Sequence, residues 1–212
     1  LLNPITGEDI ELGLKGEFFG GRLNASLGLF QIENVGRAIE DTASINPCLP
    51  YFTTGYCRIA GGKQRSKGFE TEVSGEILTG WQVMAGYTNT RTKYVIDTAA
   101  NTGQPLRSQD PKHQLRLFTS YSPNRAGPGW TVGGGVQAQS DTYVRGGGLT
   151  ARQGGYSVAN AMVAYRFSDK LEIQANVNNL FDKTYYKKIG PTGVSYYYGD
   201  PRNVSVTLRG SL

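Results

Sequence analysis

The chain has 212 residues, including 29 glycines and 13 tyrosines, and a formal net charge of +5. It lacks any run of about 18 apolar residues, which excludes a transmembrane helix but not a transmembrane β-barrel, whose strands need about ten residues of alternating character. Its basic residues are spread singly over loop-like segments, which argues against nucleic acid as a partner, because such an interface needs a dense basic stripe.

Apolar residues recur at every second position along most of the chain, and this spacing is typical of β-strands. We predict nine strands, in chain order, at 9–18, 23–35, 66–78, 81–94, 112–122, 130–140, 156–167, 171–180 and 202–211. The segment LEIQANVN at 171–178 is representative, because Leu, Ile, Ala and Val alternate there with Glu, Gln and Asn. One face of such a strand suits hydrocarbon, and the other suits a hydrated or protein-filled interior.

The predicted strands are joined by short and long connections in strict alternation. The short connections are 19–22, 79–80, 123–129 and 168–170, and the long ones lie near 36–65, 95–111, 141–155 and 181–201. Outer-membrane barrels have this order, because their periplasmic turns are tight and their extracellular loops are long. The predicted fold class is therefore an all-β, antiparallel transmembrane β-barrel.

The number of predicted strands indicates an incomplete barrel. An antiparallel ring whose two ends lie on one side of the membrane needs an even number of strands, so further strands are expected upstream of Leu1. The first residue is not Met and no targeting leader follows it, so we interpret the chain as a fragment. An open sheet leaves two unpaired edges, which argues against folding of the fragment alone.

Aromatic residues mark one end of the predicted strands. Trp81 and Trp130 each begin a strand directly after a short turn, and Phe18, Tyr121 and Phe167 border the same class of turn. Amphipathic rings prefer the headgroup level of a bilayer, so we predict a membrane girdle at this end. The alternative is a set of hairpin aromatics that cap a soluble core.

The chain contains two cysteines, Cys48 and Cys57, and both lie in the long connection at 36–65. This spacing suits a small disulfide formed in an oxidising compartment, whereas a pair of unlinked thiols is the alternative. We predict the disulfide, and we expect it to stiffen part of an extracellular rim.

Several motifs resemble those of one protein family. They are NPITGEDIELGLK at 3–15, RSKGFETEVSGE at 65–76, GWQVMAGYTNT at 80–90, DPKHQLRLFTSY at 110–121, TVGGGV at 131–136, NVNNLFDKTYY at 176–186 and YYGDPRN at 197–203. In this order and spacing they resemble the carboxyl-terminal end of TonB-dependent siderophore receptors, most closely the ferric hydroxamate and pyoverdine types.

The resemblance implies about nine carboxyl-terminal strands of a 22-stranded outer-membrane barrel that is plugged by an amino-terminal domain. It further implies transport energised by the TonB complex, contact with outer-membrane lipid and lipopolysaccharide, and a monomeric protein. The plug domain, the TonB-contacting segment and the earlier strands are absent from the 212 residues. Leu212 departs from the terminal aromatic residue that is usual in such barrels.

A ferric siderophore carries its iron already coordinated by oxygen, so we expect no cofactor and no metal ligands from the protein. Affinity should come from stacking, hydrogen bonds and desolvation. The candidate contacts are inward-facing residues near the extracellular strand ends and two arginines in a long connection, namely Tyr94, Gln137, Gln139, Tyr143, Tyr197, Arg145 and Arg152. The alternatives are girdle or loop-packing roles for the tyrosines, and lipopolysaccharide phosphate or solvent contacts for the arginines.

Enzymatic catalysis is not expected. Glu70, Glu72, Glu76 and Glu172 are more typical of a polar lumen wall than of acid–base chemistry. His113 has no matching cluster of metal ligands, and no Ser, His and acid arrangement stands out. The predicted function is TonB-energised uptake of a ferric siderophore. Two alternatives stay open, namely a receptor of the same family for cobalamin or another chelate, and a passive pore or adhesin-type barrel.

Overall fold

The computed structural model describes residues 2–50, 53–124, 127–146, 148–190 and 195–211. The expectations about Leu1 and Leu212 concern positions outside these ranges. The described residues form thirteen β-strands and include no helix that is long and apolar enough to cross a membrane. The strands are β1 Thr6–Phe18, β2 Leu23–Glu40, β3 Arg58–Leu78, β4 Trp81–Ile96, β5 His113–Tyr121, β6 Gly129–Gln139, β7 Thr142–Gly146, β8 Leu149–Gln153, β9 Tyr156–Ser168, β10 Leu171–Asn178, β11 Tyr186–Ile189, β12 Tyr196–Tyr198 and β13 Asn203–Gly210.

Nine of these strands form one sheet in the order β1-β2-β3-β4-β5-β6-β9-β10-β13. They correspond one to one with the nine predicted strands, so the all-β antiparallel class and the alternation of short and long connections are confirmed. The four other strands pair as two hairpins, β7 with β8 and β11 with β12. These hairpins lie within 141–155 and 181–201, where the sequence pattern predicts only loop.

The long connection predicted at 36–65 is also wrong at both ends. Strand β2 continues to Glu40 and β3 begins at Arg58, so the residues between them are only 41–57. The added residues are rich in glycine and charge, which is typical of loops. They are strands nevertheless, because backbone pairing with a neighbour needs no alternation of apolar side chains.

The register of β10 and β13 separates two faces of the sheet. On one face the cross-strand pairs are apolar, namely Val177↔Val204, Ala175↔Val206 and Ile173↔Leu208. On the other they are polar, namely Asn176↔Ser205, Gln174↔Thr207 and Glu172↔Arg209. Arg209 Nη1 lies 3.3 Å from Glu172 Oε1 on the polar face. The predicted alternation of side chains is therefore present in the paired strands.

The apolar face is not covered by a second layer of protein. Val206 and Leu208 are 65% and 67% exposed, and Ile173 is also exposed. Among the described residues, the buried hydrophobic side chains are Cys48, Val144, Ala164 and Ile189 alone. A soluble sandwich would bury its apolar face between two sheets, so that class is excluded.

The chain divides into two compact units. The first comprises the chain up to Leu12, Gly28–Phe69 and Thr90–Ser108, and the second comprises Gly13–Leu27, Glu70–Asn89 and the chain from Gln109. In the first unit, the buried carboxylate of Glu33 on β2 accepts from Lys63 Nζ and from Arg65 Nε on β3. This charge cluster ties together two strands of that unit.

A glycine and a carboxylate shape the end of β3, in the second unit. Gly75 has φ +133°, and a Cβ at this position would overlap the carbonyl oxygen of Arg22. The next residue, Glu76, donates its N–H to that oxygen at 2.8 Å. The buried Glu76 carboxylate accepts the N–H of Gly80 at 2.7 Å. Glu76 therefore stabilises the turn, in addition to any part it has in a polar wall.

Candidate ligand-binding site

The second unit contains a cavity of about 480 Å³ between the polar face of the sheet and the link from β10 to β13. Carboxamides dominate its lining, which includes Gln114, Gln137, Gln139, Asn160, Asn178, Asn179 and Asn203. Two cationic side chains, Arg116 and Lys187, and the carboxylate of Asp200 complete the polar part. A carboxamide both donates and accepts hydrogen bonds, so this lining suits a polar, uncharged ligand surface.

Strand register explains why these side chains converge. Gln139 pairs with Gln114 on one side and with Tyr156 on the other, and Gln137 pairs with Arg116 and Val158. Directly opposed residues in an antiparallel sheet project to the same face. The extended strands β5, β6 and β9 therefore present one continuous row of polar and aromatic side chains to the cavity.

Two tyrosines form the aromatic part of the cavity. The rings of Tyr156 and Tyr185 are stacked, with centroids 4.2 Å apart. The ring of Tyr185 also lies directly on Gly199, where any side chain would overlap it. Burial raises the pKa of Tyr185, and the nearby charge of Asp200 raises it further. The hydroxyl of Tyr185 is therefore neutral at physiological pH.

Asn179 holds the link from β10 to β13, here called the last link, in place over the cavity. It has φ +51° and is buried. Its N–H donates to Asn160 Oδ1 at 2.9 Å, and its Nδ2 donates to the carbonyl oxygens of Lys183 and Asp200. Asp182, also with positive φ, accepts the N–H of Arg202 at 2.9 Å. The motif NNLFDK, which carries much of the resemblance, is thus a local clamp for this link.

The hairpin β11–β12 is attached to the hairpin β7–β8. Tyr186 donates its backbone N–H to Gln153 Oε1 at 2.9 Å. The ring of Tyr186 packs between those of Tyr196 and Tyr198, with centroids at 5.0 and 4.7 Å. The hydrogen bond between the hydroxyls of Tyr186 and Tyr198 raises the pKa of Tyr186. The two hairpins therefore form one connected structure beside the cavity.

The structure groups the predicted ligand contacts into separate places. Gln137 and Gln139 line the cavity. Three other candidates meet on the β7–β8 hairpin, where the guanidinium carbons of Arg145 and Arg152 lie 5.2 and 5.5 Å from the ring centroid of Tyr143.

The two remaining candidates stand apart from these groups. Tyr197, on β12, is exposed and pairs with Lys188. Tyr94 belongs to the first unit, where the guanidinium of Arg37 lies 5.9 Å from its ring centroid. Tyr94 and Arg37 line a smaller cavity of about 230 Å³ together with Arg58 and Asp97. The contact roles of all seven candidates stay predictions.

Several residues of the larger cavity are not among the predicted ligand contacts. Tyr156 has a usable signal, because parity along its predicted strand places it on the same face as Asn160. Tyr185 and Lys187 have none, since they reach the cavity only through the fold of the last link. Asn160 and Asn178 lie on the polar face but are easily taken for ordinary lumen residues.

The five predicted girdle residues are all exposed and lie beside short turns, namely Phe18, Trp81, Tyr121, Trp130 and Phe167. Trp81 pairs with Tyr121, with ring centroids 6.3 Å apart. Tyr165 joins the group, with its ring 4.7 Å from that of Trp130 and 4.9 Å from that of Phe167. This placement supports a girdle, which stays a prediction.

The predicted disulfide between Cys48 and Cys57 is confirmed, with the two Cα atoms 5.0 Å apart. Backbone hydrogen bonds from Cys48 to Gly55 and from Asp41 to Cys57 reinforce the loop that it closes. The loop therefore has both a covalent and a hydrogen-bonded closure.

The single histidine, His113, contacts two side chains of β4. His113 Nδ1 lies 2.7 Å from the hydroxyl of Tyr87 and 3.0 Å from Asn89 Nδ2, so these two side chains hold the ring in place. The described residues contain no group of three or more His, Cys, Asp or Glu side chains that could hold a metal ion.

Comparisons with known proteins agree with this geometry. Residues 1–180 match the family model described as TonB dependent receptor-like, beta-barrel. The ferripyoverdine receptor of Pseudomonas aeruginosa is 40% identical over 216 residues, which cover 99% of this chain and 25% of the receptor. The catecholate siderophore receptor Fiu of Escherichia coli is 31% identical over 210 residues, covering 96% of this chain and 25% of Fiu.

A solved structure is similar over the same length. The crystal structure of the ferripyoverdine receptor of the outer membrane of P. aeruginosa, bound to ferripyoverdine, has a TM-score of 0.82 at 38% identity. The match covers 99% of this chain and 28% of that one. This chain thus spans about a quarter of the length of the curated relatives that it matches. It belongs to the TonB-dependent receptor β-barrel family of the bacterial outer membrane.

Proposed function

We propose that the chain is the carboxyl-terminal part of the barrel of a receptor that takes up a ferric siderophore, and that the cavity beneath the last link binds part of this ligand. The observation that carries the proposal is the cavity itself, which combines a row of carboxamides with the stacked pair Tyr156 and Tyr185. The names of the relatives, which are ferripyoverdine and catecholate siderophore receptors, support it.

The lining suits a ligand whose iron is already coordinated. Ring faces stack on the flat groups of a chelate, and carboxamides match its polar atoms without competing for the metal. Iron is the cargo in this proposal, and the protein contributes no cofactor and no catalysis. Tyr94, Tyr143, Tyr197, Arg145 and Arg152 are proposed as further contacts around the entrance.

The proposal assigns the other partners by position. The TonB complex and a plug domain act through parts of the receptor outside these residues. The exposed aromatic residues beside the short turns contact lipid at the headgroup level, and lipopolysaccharide surrounds the opposite end. The receptor works as a monomer. Energised transport requires that the ligand bind one conformation better than another, because equal affinity for both shifts no equilibrium.

The test is uptake of radioactive iron by cells that express the complete receptor, offered a panel of ferric siderophores. We expect TonB-dependent uptake of at least one of them. In the purified receptor, Gln139→Ala and Tyr156→Ala should each weaken binding of that siderophore about tenfold, the effect of losing one buried polar or stacking contact. Gln82→Ala is the matched control, because Gln82 lies on the same face but outside the cavity lining.

Each alternative function gives a different result in this assay. TonB-dependent uptake of cobalamin without any iron uptake would show that the receptor carries cobalamin and not a ferric siderophore. Solute permeation that persists without TonB would indicate a passive pore. Normal affinity in both cavity variants would reject the cavity as the ligand site while leaving the transport function intact.

A further inference from the structure

The polar face of the sheet in the second unit carries two large apolar side chains. Met84 on β4 lies directly opposite Phe118 on β5. Phe118 is two residues from Arg116, which lines the cavity described above, so side-chain alternation places it on the same face. Met84 and Phe118 are 65% and 41% exposed. Apolar side chains on a hydrated face gain free energy when a partner covers them, so this position calls for an occupant.

A second cavity, of about 440 Å³, lies at these two side chains. We call it the Met–Phe pocket and define it by Met84, Gly86, Phe118 and Gly135. At Gly135 a Cβ would lie 2.7 Å from the carbonyl oxygen of Leu117 and 3.2 Å from the ring of Phe118, so a side chain there would displace the ring. At Gly86 a Cβ would lie 4.0 Å from the nearest atoms of β3. A side chain at Gly86 would therefore fill the pocket without overlap at its base.

The Met–Phe pocket is continuous with the cavity of about 480 Å³ that is proposed to bind the ferric siderophore, here called the ligand cavity. Arg116, Gln137 and Asn160 line both spaces. Along β5 the ligand cavity comes first, and Phe118 follows towards Tyr121 at the short turn. Short turns of outer-membrane barrels are periplasmic. A ligand that moves from the ligand cavity towards the periplasm along this wall therefore reaches the Met–Phe pocket next.

We propose that the Met–Phe pocket is a transient site for an apolar group of the ferric chelate on its way from the ligand cavity to the periplasm. The inference rests on the proposed function, because it concerns the same ligand. The ring of Phe118 offers a flat apolar surface, and the flexible thioether of Met84 adapts to groups of different shape. Neither side chain forms strong hydrogen bonds. A group bound there can leave again, as a site on a transport route requires.

The test measures iron uptake by cells that express the complete receptor. The probe is radioactive iron carried by ferripyoverdine or, if the unaltered receptor does not take that up, by the siderophore of the panel with the fastest uptake. Gly86→Leu fills the pocket, and Met84→Gln makes its surface polar at nearly constant side-chain length. Gln82→Leu is the matched control, because it adds the same side chain to the same face of β4 outside the lining of both cavities. Immunoblots of outer membranes correct each rate for the amount of receptor.

We expect Gly86→Leu to slow uptake at saturating probe about tenfold or more, and Met84→Gln to slow it about threefold. The purified variants should bind the same probe with unchanged affinity, because the ligand cavity is intact. Iron on cells with Gly86→Leu should therefore stay at the surface, where an excess of the unlabelled chelate displaces it. Iron taken up by cells with Gln82→Leu should resist this displacement.

Three results would overturn the inference. Equal uptake with Gly86→Leu and Gln82→Leu would show that the pocket is not on the route. A loss of affinity as large as the loss of uptake would make the pocket part of the resting ligand cavity. Entry of vancomycin without TonB, or a lower thermal midpoint, in Gly86→Leu but not in the control would show that another part of the receptor occupies the pocket.

The proposed function is judged separately, on the unaltered receptor. If that receptor takes up none of the ferric siderophores in a TonB-dependent manner, the transport function is refuted before any variant is compared, and the transient site falls with it. If the unaltered receptor transports iron and Gly86→Leu does so at the same rate, only the transient site is refuted.

Discussion

Asn179 Nδ2 lies 3.0 Å from the carbonyl oxygen of Asp200, so one carboxamide joins the two ends of the link between β10 and β13. The same group donates to the carbonyl of Lys183 and accepts its N–H at 2.8 Å. Because Asn179 is only 3% exposed, water does not readily replace these bonds. The position of Tyr185 in the cavity therefore depends on Asn179.

Replacement of Asn179 should loosen the whole last link. Asn179→Ala removes the side-chain bonds, which should lower the local opening free energy by about 2–4 kcal/mol if each contributes roughly 1 kcal/mol. Hydrogen exchange by mass spectrometry on the complete receptor should show faster exchange over 180–190 and 195–203. Tyr185 should lose its fixed place against Tyr156 as a result.

Two further variants separate the causes. Asn179→Gly tolerates the positive φ but lacks the carboxamide, so it should still accelerate exchange in that link. Asn178→Ala removes only an exposed contact with Asn203 and should have little effect. If Asn179→Gly exchanges at the normal rate, the side-chain bonds do not hold the link.

Gly75 should not tolerate a side chain. Gly75→Ala adds a Cβ that overlaps the carbonyl oxygen of Arg22, at a φ of +133° that L-residues rarely adopt. The backbone conformation alone should cost about 1–3 kcal/mol, and the overlap adds to this. The expected result is a lower yield of folded receptor and a lower midpoint of thermal unfolding. Gly210→Ala is the control, because a Cβ there meets no atom within 4 Å. Equal yield and equal thermal midpoint of the two variants would contradict the prediction.

The disulfide should stiffen the link between β2 and β3. Replacing both Cys48 and Cys57 by serine should cost about 2–3 kcal/mol, the expected effect of opening a loop of this length. Exchange over 41–50 and 53–57 should increase, which mass spectrometry of the complete receptor measures. Because we propose that this loop stiffens the receptor rim, the double serine variant should also bind the ferric ligand more weakly. Unaltered exchange and affinity after reduction would dismiss both ideas.

The stacked tyrosines should respond to pH only in the alkaline range. The pKa of Tyr185 is raised above its ordinary value near 10, because burial disfavours the charged phenolate. A raised pKa means that the fold prefers the neutral form, so this stabilisation is fully present below pH 10 and is lost as the pH rises through the folded pKa. Ligand affinity and the protection of the amides near 185, measured as exchange relative to the intrinsic rate at each pH, should therefore be constant from pH 6 to 9 and change above pH 10.

Tyr185→Phe tests the assignment of this pH effect. It keeps the ring that stacks on Tyr156 but has no proton to lose. The alkaline change near 185 should become smaller in this variant, because only Tyr156, whose pKa burial also raises, then titrates in the pair. The global alkaline unfolding of the receptor should persist. An alkaline change of the same size in both proteins would assign the effect to another group.

The main sheet could be predicted because its strands alternate clearly. In 171–178 and 203–210 every second side chain is apolar, and a shift of one residue would turn the whole apolar set to the wrong face. Gln137 and Gln139 could be assigned to the interior for the same reason. Parity along a regular strand is enough to place such residues on a face.

The hairpin β7–β8 could not be predicted from alternation. Its segments TYVRG and LTARQ have mixed polarity and flank a run of glycines, a composition typical of a loop. Backbone pairing and the contacts of Tyr143 with two arginines stabilise it instead. Tyr185 could not be predicted for a related reason, since its position depends on bonds made by Asn179 to residues distant in sequence.

The bond from Tyr186 to Gln153 joins two hairpins whose sequences are 33 residues apart. Exposed loops of surface receptors commonly gain and lose residues during evolution, because little packing restrains them. Here a deletion in one hairpin would displace the acceptor on which the other depends. The lengths of these two hairpins should therefore change together among related receptors. The loop between Cys48 and Cys57 is closed by its own disulfide, so its length can change independently.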